Sequence, residues 1–397
     1  MGRDRVADGR ALRHAAEVVI VVAFFFWTAV GLLVFTQVGY PVVLWALARL
    51  RRSRPADAPE AGSRGQEPSV SVIVAAHDEE AVIARRVANL LELDYPRDQL
   101  EVIVASDGSE DRTVELARAA GADEVLDLDR VGKIAAQNEA ARRASGVVLA
   151  FSDANATWAP DALRALLARF EDPRVAYVCG QVSFTSETGQ NQEGLYWRYE
   201  MALRTLESEL GGVTAGNGAI YAVRRDAYMY LGPSRSHDLS FPFELTKRGH
   251  RALYAAEAVA SEKLVPTLEG EFARKRRMMR GLWDIVVRDG MLSPRGYEPL
   301  YAFQIASHRL LRYLSPFLHL VALGTNIALL SQGPVYLATF AAQLALLGAA
   351  AIGSVVKLRA LRIPYYYVLV TASIAAGLWD RARRGAPSAW EKAAGTR

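Results

Sequence analysis

The 21 residues from Val18 to Val38, "VVIVVAFFFWTAVGLLVFTQV", carry no charge. A helix of that length rises about 30 Å, the thickness of a bilayer's hydrocarbon core. Such a run either spans a membrane or is cleaved as a signal peptide. It exceeds the usual apolar region of a signal peptide and no small-x-small cleavage site follows, which favours a span. "GYPVVLWALARL" and the basic run "RRSR" come next. The last third of the chain repeats the theme. "YLSPFLHLVALGTNIALL" from Tyr313 and "PVYLATFAAQLALLGAAAIG" from Pro334 read as spans. The shorter "IPYYYVLVTASIAAGL" from Ile363 is near the minimum length and reads as re-entrant or interfacial, ahead of a basic tail.

Within 397 residues, 51% of them hydrophobic, these segments leave room for one sizeable domain. The net charge of +4 comes from arginines at the membrane flanks and in "RKRRMMR". That distribution suits anionic lipid headgroups or a phosphate ligand and argues against a nucleic-acid groove. Cys179 is the only cysteine, so an intrachain disulfide and a cysteine metal site are both excluded. It sits in the strand-like "VAYVCGQVSF" and reads as a buried thiol.

Four regions follow: a tail and span over residues 1–50, a Pro/Gly/Ala-rich linker over 51–68, a domain over 69–290, and a membrane region over 291–397. From Ser69 the pattern alternates strand and helix. "SVSVIVAA", "LEVIVAS", "DEVLDL" and "VVLAFSD" are short β-rich runs separated by helical spacing, which predicts a doubly wound α/β sheet. Ligands of such sheets gather at the carboxyl ends of the strands. Acids stand there: Asp107 in "SDGS", Asp153 in "SDAN" and, after a glycine-proline break, Asp238 in "SRSHDLSFPFEL", with Glu244 the next acid along. Singly, Asp107 reads as a turn residue or a nucleobase acceptor, and Asp153 as a helix cap or a ligand. His237 reads as a surface loop histidine. "EGEFARKRRMMRGLWDIVVRDG" reads as an amphipathic helix with Arg274 and Arg277 on one face.

Taken in order, these motifs resemble the family-two inverting glycosyltransferases with the GT-A fold, of the membrane-bound, cellulose-synthase-like kind. The resemblance covers residues 69–280 or so and implies a cytoplasmic domain on a multi-pass membrane protein. It implies that Asp107 contacts the base of a nucleotide-diphosphate sugar, UDP-linked in such enzymes, with Asp78 or Glu80 of "AAHDEE" near the same pocket. Asp153 and Asn155 then correspond to the D-x-D signature that holds Mg²⁺ or Mn²⁺, and Asp238 to the catalytic base. Lys133 of "GKIAAQN" lies where a diphosphate contact is expected, though a solvated helix lysine fits as well. Residues 274–278 fall on the Q-x-x-R-W motif, of which only Arg277 matches. An amide at Asn155 adds no charge to a hard cation's ligand set. Without the motif's Gln and Trp, and unless Trp197 or Trp283 replaces the missing ring, a non-processive enzyme acting on a lipid-linked or glycan acceptor is expected. The alternatives are a nucleotide-binding scaffold without catalysis and a processive synthase. Charge orients the first span only weakly, since Arg3, Arg5, Arg10 and Arg13 nearly balance Arg49, Arg51, Arg52 and Arg54.

Overall fold

A computed structural model describes residues 2–52, 67–185, 194–263, 268–356 and 358–385. Most of the expected linker and the basic tail beyond 385 lie outside the described residues, as do the side chains of residues 2–13. The strands are β1 (Val70–Ala76), β2 (Leu100–Asp107), β3 (Glu124–Leu128), β4 (Val148–Asp153), β5 (Thr157–Trp158), β6 (Val175–Thr185), β7 (Tyr221–Arg224) and β8 (Arg251–Lys263). The first helices are α1 (Gly2–Val34), α2 (Tyr40–Arg52), α3 (Ile83–Leu91), α4 (Thr113–Ala119), α5 (Lys133–Arg143), α6 (Ala162–Leu167) and α7 (Gly194–Leu210). They continue with α8 (His237–Lys247), α9 (Leu268–Val287), α10 (Pro299–Gln304), α11 (Leu311–Ala328), α12 (Pro334–Val355) and α13 (Arg359–Arg384). The chain divides into two compact units: a helical unit of Met1–Val43 with Ala306–Ala376, and a sheet unit of Leu44–Ile305 with Gly377–Arg397.

The sheet unit is built on eight strands in the order β3-β2-β1-β4-β7-β6-β8-β5. Its first four are parallel, as the alternating pattern predicts; the apolar runs of β1, β2 and β4 are buried on both faces, while β3, at the edge, is only partly buried. Beyond β4 the sheet departs from a purely parallel one: β7 is antiparallel to β4 and β6, β6 and β8 run parallel, and β5 closes the edge antiparallel to β8. The chain reaches β2 and β3 on one side of β1 and β4 on the other. That reversal of direction opens a crevice at the carboxyl ends of β1 and β4.

Two apolar clusters cover the faces. One gathers Val72, Val74, Val87, Leu90, Trp158 and Leu163, and the other Ile73, Ile103, Phe151, Tyr177, Tyr221 and Phe241. Cys179 belongs to the second and is fully buried, its thiol facing the Leu253 carbonyl at 3.6 Å. Also within this unit, α9 is bound to the end of α13 by two bidentate pairs. Arg276 grips Asp380 at 2.5 and 2.6 Å, and Arg381 grips Asp284 at 2.8 and 2.7 Å.

In the helical unit, Phe26 is buried and packs edge-on against Tyr336 at 5.5 Å, and His319 bonds Tyr367 at 2.7 Å. Among the described residues three helices are long and apolar enough to cross a membrane: His14–Arg51, Pro334–Val355 and Ala360–Arg384. The set differs from the expected one at two places. The segment from Tyr313 is a helix but falls outside it, because Arg312, Pro316, His319 and Asn326 dilute its apolar run. The segment from Ile363 qualifies because its helix extends beyond both ends of the apolar run.

Candidate active site

The loops at the carboxyl ends of β1 and β2 are braced against each other. Asp78, held at a left-handed φ of 47°, accepts the Glu110 amide at 2.8 Å and donates its own N–H to Ser109 Oγ at 3.0 Å. Its other carboxylate oxygen lies 3.2 Å from His77 Nε2. Glu80 donates its N–H to Asp111 at 3.1 Å and accepts the Arg112 amide at 3.3 Å. Asp78 and Glu80 thus shape the loop pair.

Asp107, fully buried at the end of β2, accepts the amides of Val131 and Gly132 at 2.7 and 2.8 Å. Its second oxygen is buried without a hydrogen-bond partner and lies 3.8 Å from Arg130 Nε. Two consecutive amides on one carboxylate fix the approach to α5, whose first residue is Lys133. Register does the rest: Asp153 stands opposite Ala75 of β1, whose next residue pairs with Ser106. The Lys133 ammonium bonds the Asp153 carboxylate. Burial acts to lower the Lys133 pKa, but Asp153, with help from Asp238 and Glu262, outweighs it and the net shift is upward. Asp107, Lys133, Asp153 and Asp238 therefore converge on one crevice.

The capping role for Asp153 does not hold, since Asp161 precedes α6 at the N-cap position. Asp153 Oδ2 instead faces Gly218, where a Cβ would stand 3.3 Å from it and 3.6 Å from Lys133 Nζ. The "GNG" turn is thus a place of close approach.

Asp238 lies in the first turn of α8, and its carbonyl accepts the Gly216 amide at 2.7 Å. His237 is not the surface histidine expected from the sequence. It is 3% exposed, bonds the Tyr221 hydroxyl through Nδ1 at 2.6 Å, and lies 4.6 Å from the Phe241 ring. Burial, with repulsion from Lys133, lowers its pKa to about 3, so the ring is neutral. Glu244 is held by Arg235 in an ion pair, which removes it as a rival base. Asn155 is half-buried two residues beyond Asp153. Arg274 and Arg277 are half-buried on α9, whose Arg276 and Arg280 bind the end of α13 and the turn after it. Trp197 packs on Phe184 and donates to the Val182 carbonyl at 2.7 Å, as a structural residue does.

Sequence reasoning missed two residues near this cluster. Glu262 near the end of β8 acts on Lys133. Arg86 of α3 is 2% exposed and lies 5.0 Å from the Trp158 ring. Its signal was legible: it shares a buried stripe with Ile83, Val87 and Leu90, where an arginine is out of place.

Among the described residues no group of three or more His, Cys, Asp or Glu stands ready for a metal ion. One carboxylate, one nearby amide and the space beside Gly218 fit a cation that arrives with phosphate oxygens, as Mg²⁺ commonly does.

Residues 71–231 match the family model described as Glycosyl transferase family 2. That stretch of the sheet unit is thus similar to this family, and the unit has the GT-A fold of a glycosyltransferase domain. Among its relatives, a beta-monoglucosyldiacylglycerol synthase of Synechocystis sp. is 30% identical over 62% of this chain and 55% of that protein. An N-acetylglucosaminyltransferase of Rhizobium meliloti is 28% identical over 69% of this chain and 66% of its own length. The chain spans about half the length of the diacylglycerol synthases it matches. A solved mannosyltransferase from Pyrobaculum calidifontis, in complex with GDP-Man and Mn²⁺, shares the fold with a TM-score of 0.68. It is 24% identical, over 90% of this chain and 99% of that one.

Proposed function

We propose that this protein is a membrane-bound inverting glycosyltransferase that moves a sugar from a nucleotide-diphosphate sugar to a lipid-linked acceptor. The observation that carries the reading is the convergence of Asp107, Lys133, Asp153 and Asp238 on the crevice at the carboxyl ends of β1, β2 and β4. The acceptor class is inferred from relatives named as beta-monoglucosyldiacylglycerol synthases and from the three helices, among the described residues, apolar enough to cross a bilayer.

In this mechanism the Asp107 pocket takes the nucleobase, and Lys133 meets the diphosphate. Mg²⁺ or Mn²⁺, held by Asp153 with Asn155 beside it, supplies counter-charge for the leaving diphosphate when bound. Arg274 and Arg277 add basic groups on the diphosphate side. Asp238 takes the proton of the acceptor hydroxyl as its oxygen attacks the anomeric carbon opposite the nucleotide. His237, caged and neutral, keeps the start of α8 and therefore that carboxylate in place. A single displacement inverts the sugar.

The sheet unit faces the cytoplasm, where nucleotide sugars are made. With so few spans and no rigid ring at Met278, the enzyme adds one or a few sugars and does not thread a polymer.

The test is to incubate membranes containing the protein with labelled UDP-glucose, UDP-N-acetylglucosamine and GDP-mannose. Label entering an organic-soluble product, and failing to enter it with Asp238→Asn, is expected. Label appearing only in a high-molecular-mass polymer, or hydrolysis without an acceptor product, would overturn the reading.

A further inference from the structure

The Asp153 carboxylate is already occupied by Lys133 in the donor-free protein, while Asp238 and Glu262 act on the same lysine from further off. Lys133 bonds it directly, and the pair is only partly open to solvent, with side-chain exposures of 22% and 25%. Arg86 acts on it from α3. The Arg86 guanidinium bonds Asn89 through Nη1, while its Nε and Nη2 are buried without hydrogen-bond partners. Burial drives its pKa down to about 9 against the pull of Asp153, so it still carries its charge at neutral pH. Asn155, in the place of a second acid, contributes an amide and no compensating charge. A divalent cation approaching this site alone would have to displace an ammonium, and would meet the field of a buried guanidinium.

A diphosphate changes that balance. Its oxygens offer Lys133 a new anionic partner and offer the cation the ligands the protein lacks. Resting on the nucleotide-sugar reading above, we propose that Lys133 is a placeholder for the divalent cation. It occupies Asp153 in the donor-free protein, and the cation enters only together with the donor's diphosphate, which draws the lysine off the carboxylate. Cation and nucleotide then bind with a strong mutual coupling that is the same measured from either side. Arg86 raises that coupling by disfavouring the cation whenever the diphosphate is absent.

The experiment titrates Mn²⁺ into the purified full-length protein in detergent and follows the free-ion electron paramagnetic resonance signal. It is run alone and with UDP, GDP, dTDP and ADP in turn. In the unsubstituted protein, the nucleoside diphosphate that binds should tighten Mn²⁺ by roughly tenfold or more, and Mn²⁺ should tighten that nucleotide by the same factor. Lys133→Met should bind Mn²⁺ without nucleotide about tenfold more tightly than the unsubstituted protein, and its coupling should shrink toward one. Arg86→Met, verified as folded by circular dichroism, should move nucleotide-free Mn²⁺ affinity in the same direction. Lys133→Met alone decides if that second variant does not fold. Equal nucleotide-free Mn²⁺ affinity in the unsubstituted protein and Lys133→Met, with nucleotide bound by the unsubstituted protein, overturns the placeholder and leaves the glycosyltransferase reading standing. Binding of no nucleotide, with or without Mn²⁺, overturns that reading and this inference with it.

Discussion

Replacing Asp238 by asparagine changes one atom and removes a charge and a proton acceptor. The cost to folding is small, because the bond that anchors the residue uses its carbonyl, which accepts the Gly216 amide at 2.7 Å in either variant. What is lost is a carboxylate in the first turn of α8, worth about 0.3–1 kcal/mol with the helix dipole. Lys133 also loses one of the acids that act on it, but keeps its bond to Asp153. The cost to turnover is far larger. A general base contributes about two to four orders of magnitude, or about 3–5 kcal/mol of barrier. The assay measures initial rates of label transfer at saturating donor, with nucleotide affinity determined separately by calorimetry. The account predicts unchanged nucleotide affinity, a near-unchanged melting temperature and a fall of at least a hundredfold in turnover. Near-normal turnover in a folded variant would refute the assignment of the base, and Glu244 would not replace it, being paired with Arg235.

The remaining predictions concern stability and topology. His237 is neutral in the folded protein down to about pH 3, while an exposed histidine takes up a proton near pH 6.5, so the unfolded chain binds more protons throughout that window. Stability should therefore be full above about pH 6.5 and fall as pH drops, by about 2 kcal/mol at pH 5. His237→Gln should remove that component of the acid sensitivity in urea titrations at pH 7 and pH 5, and an equal pH slope in both proteins would count against the burial argument. The end of α13 is bound to α9 of the sheet unit through Asp380 and Arg381, so a tag after residue 397 should be protected from protease in sealed right-side-out cells. Cleavage of that tag from outside would break the topology.

Much of the site was legible because it depends on local order. Strand ends in a parallel sheet are marked by the switch from β-rich apolar runs to acids, and Asp107 and Asp153 carry that mark, while Asp238 follows a glycine-proline break into the first turn of α8. Lys133 was open to two readings until register brought α5 against β4. The second half of the sheet was hidden because direction is not encoded in a strand's own sequence: nothing in "YAVR" marks β7 as antiparallel to β4. His237 was misread because its cage comes from Phe151, Tyr221, Tyr228 and Phe241, spread over 91 positions of chain. Arg86 was overlooked although it breaks an apolar stripe, since its neighbour Trp158 lies more than seventy residues away.

The central claim is a single in-line displacement at the strand-end crevice, with Asp238 as base. Proton NMR of the product made from an α-linked nucleotide sugar tests it most directly, because the anomeric coupling reads the configuration of the new bond. The account predicts a β-linked product. An α-linked product would contradict it, since one displacement by a base-activated hydroxyl cannot retain configuration.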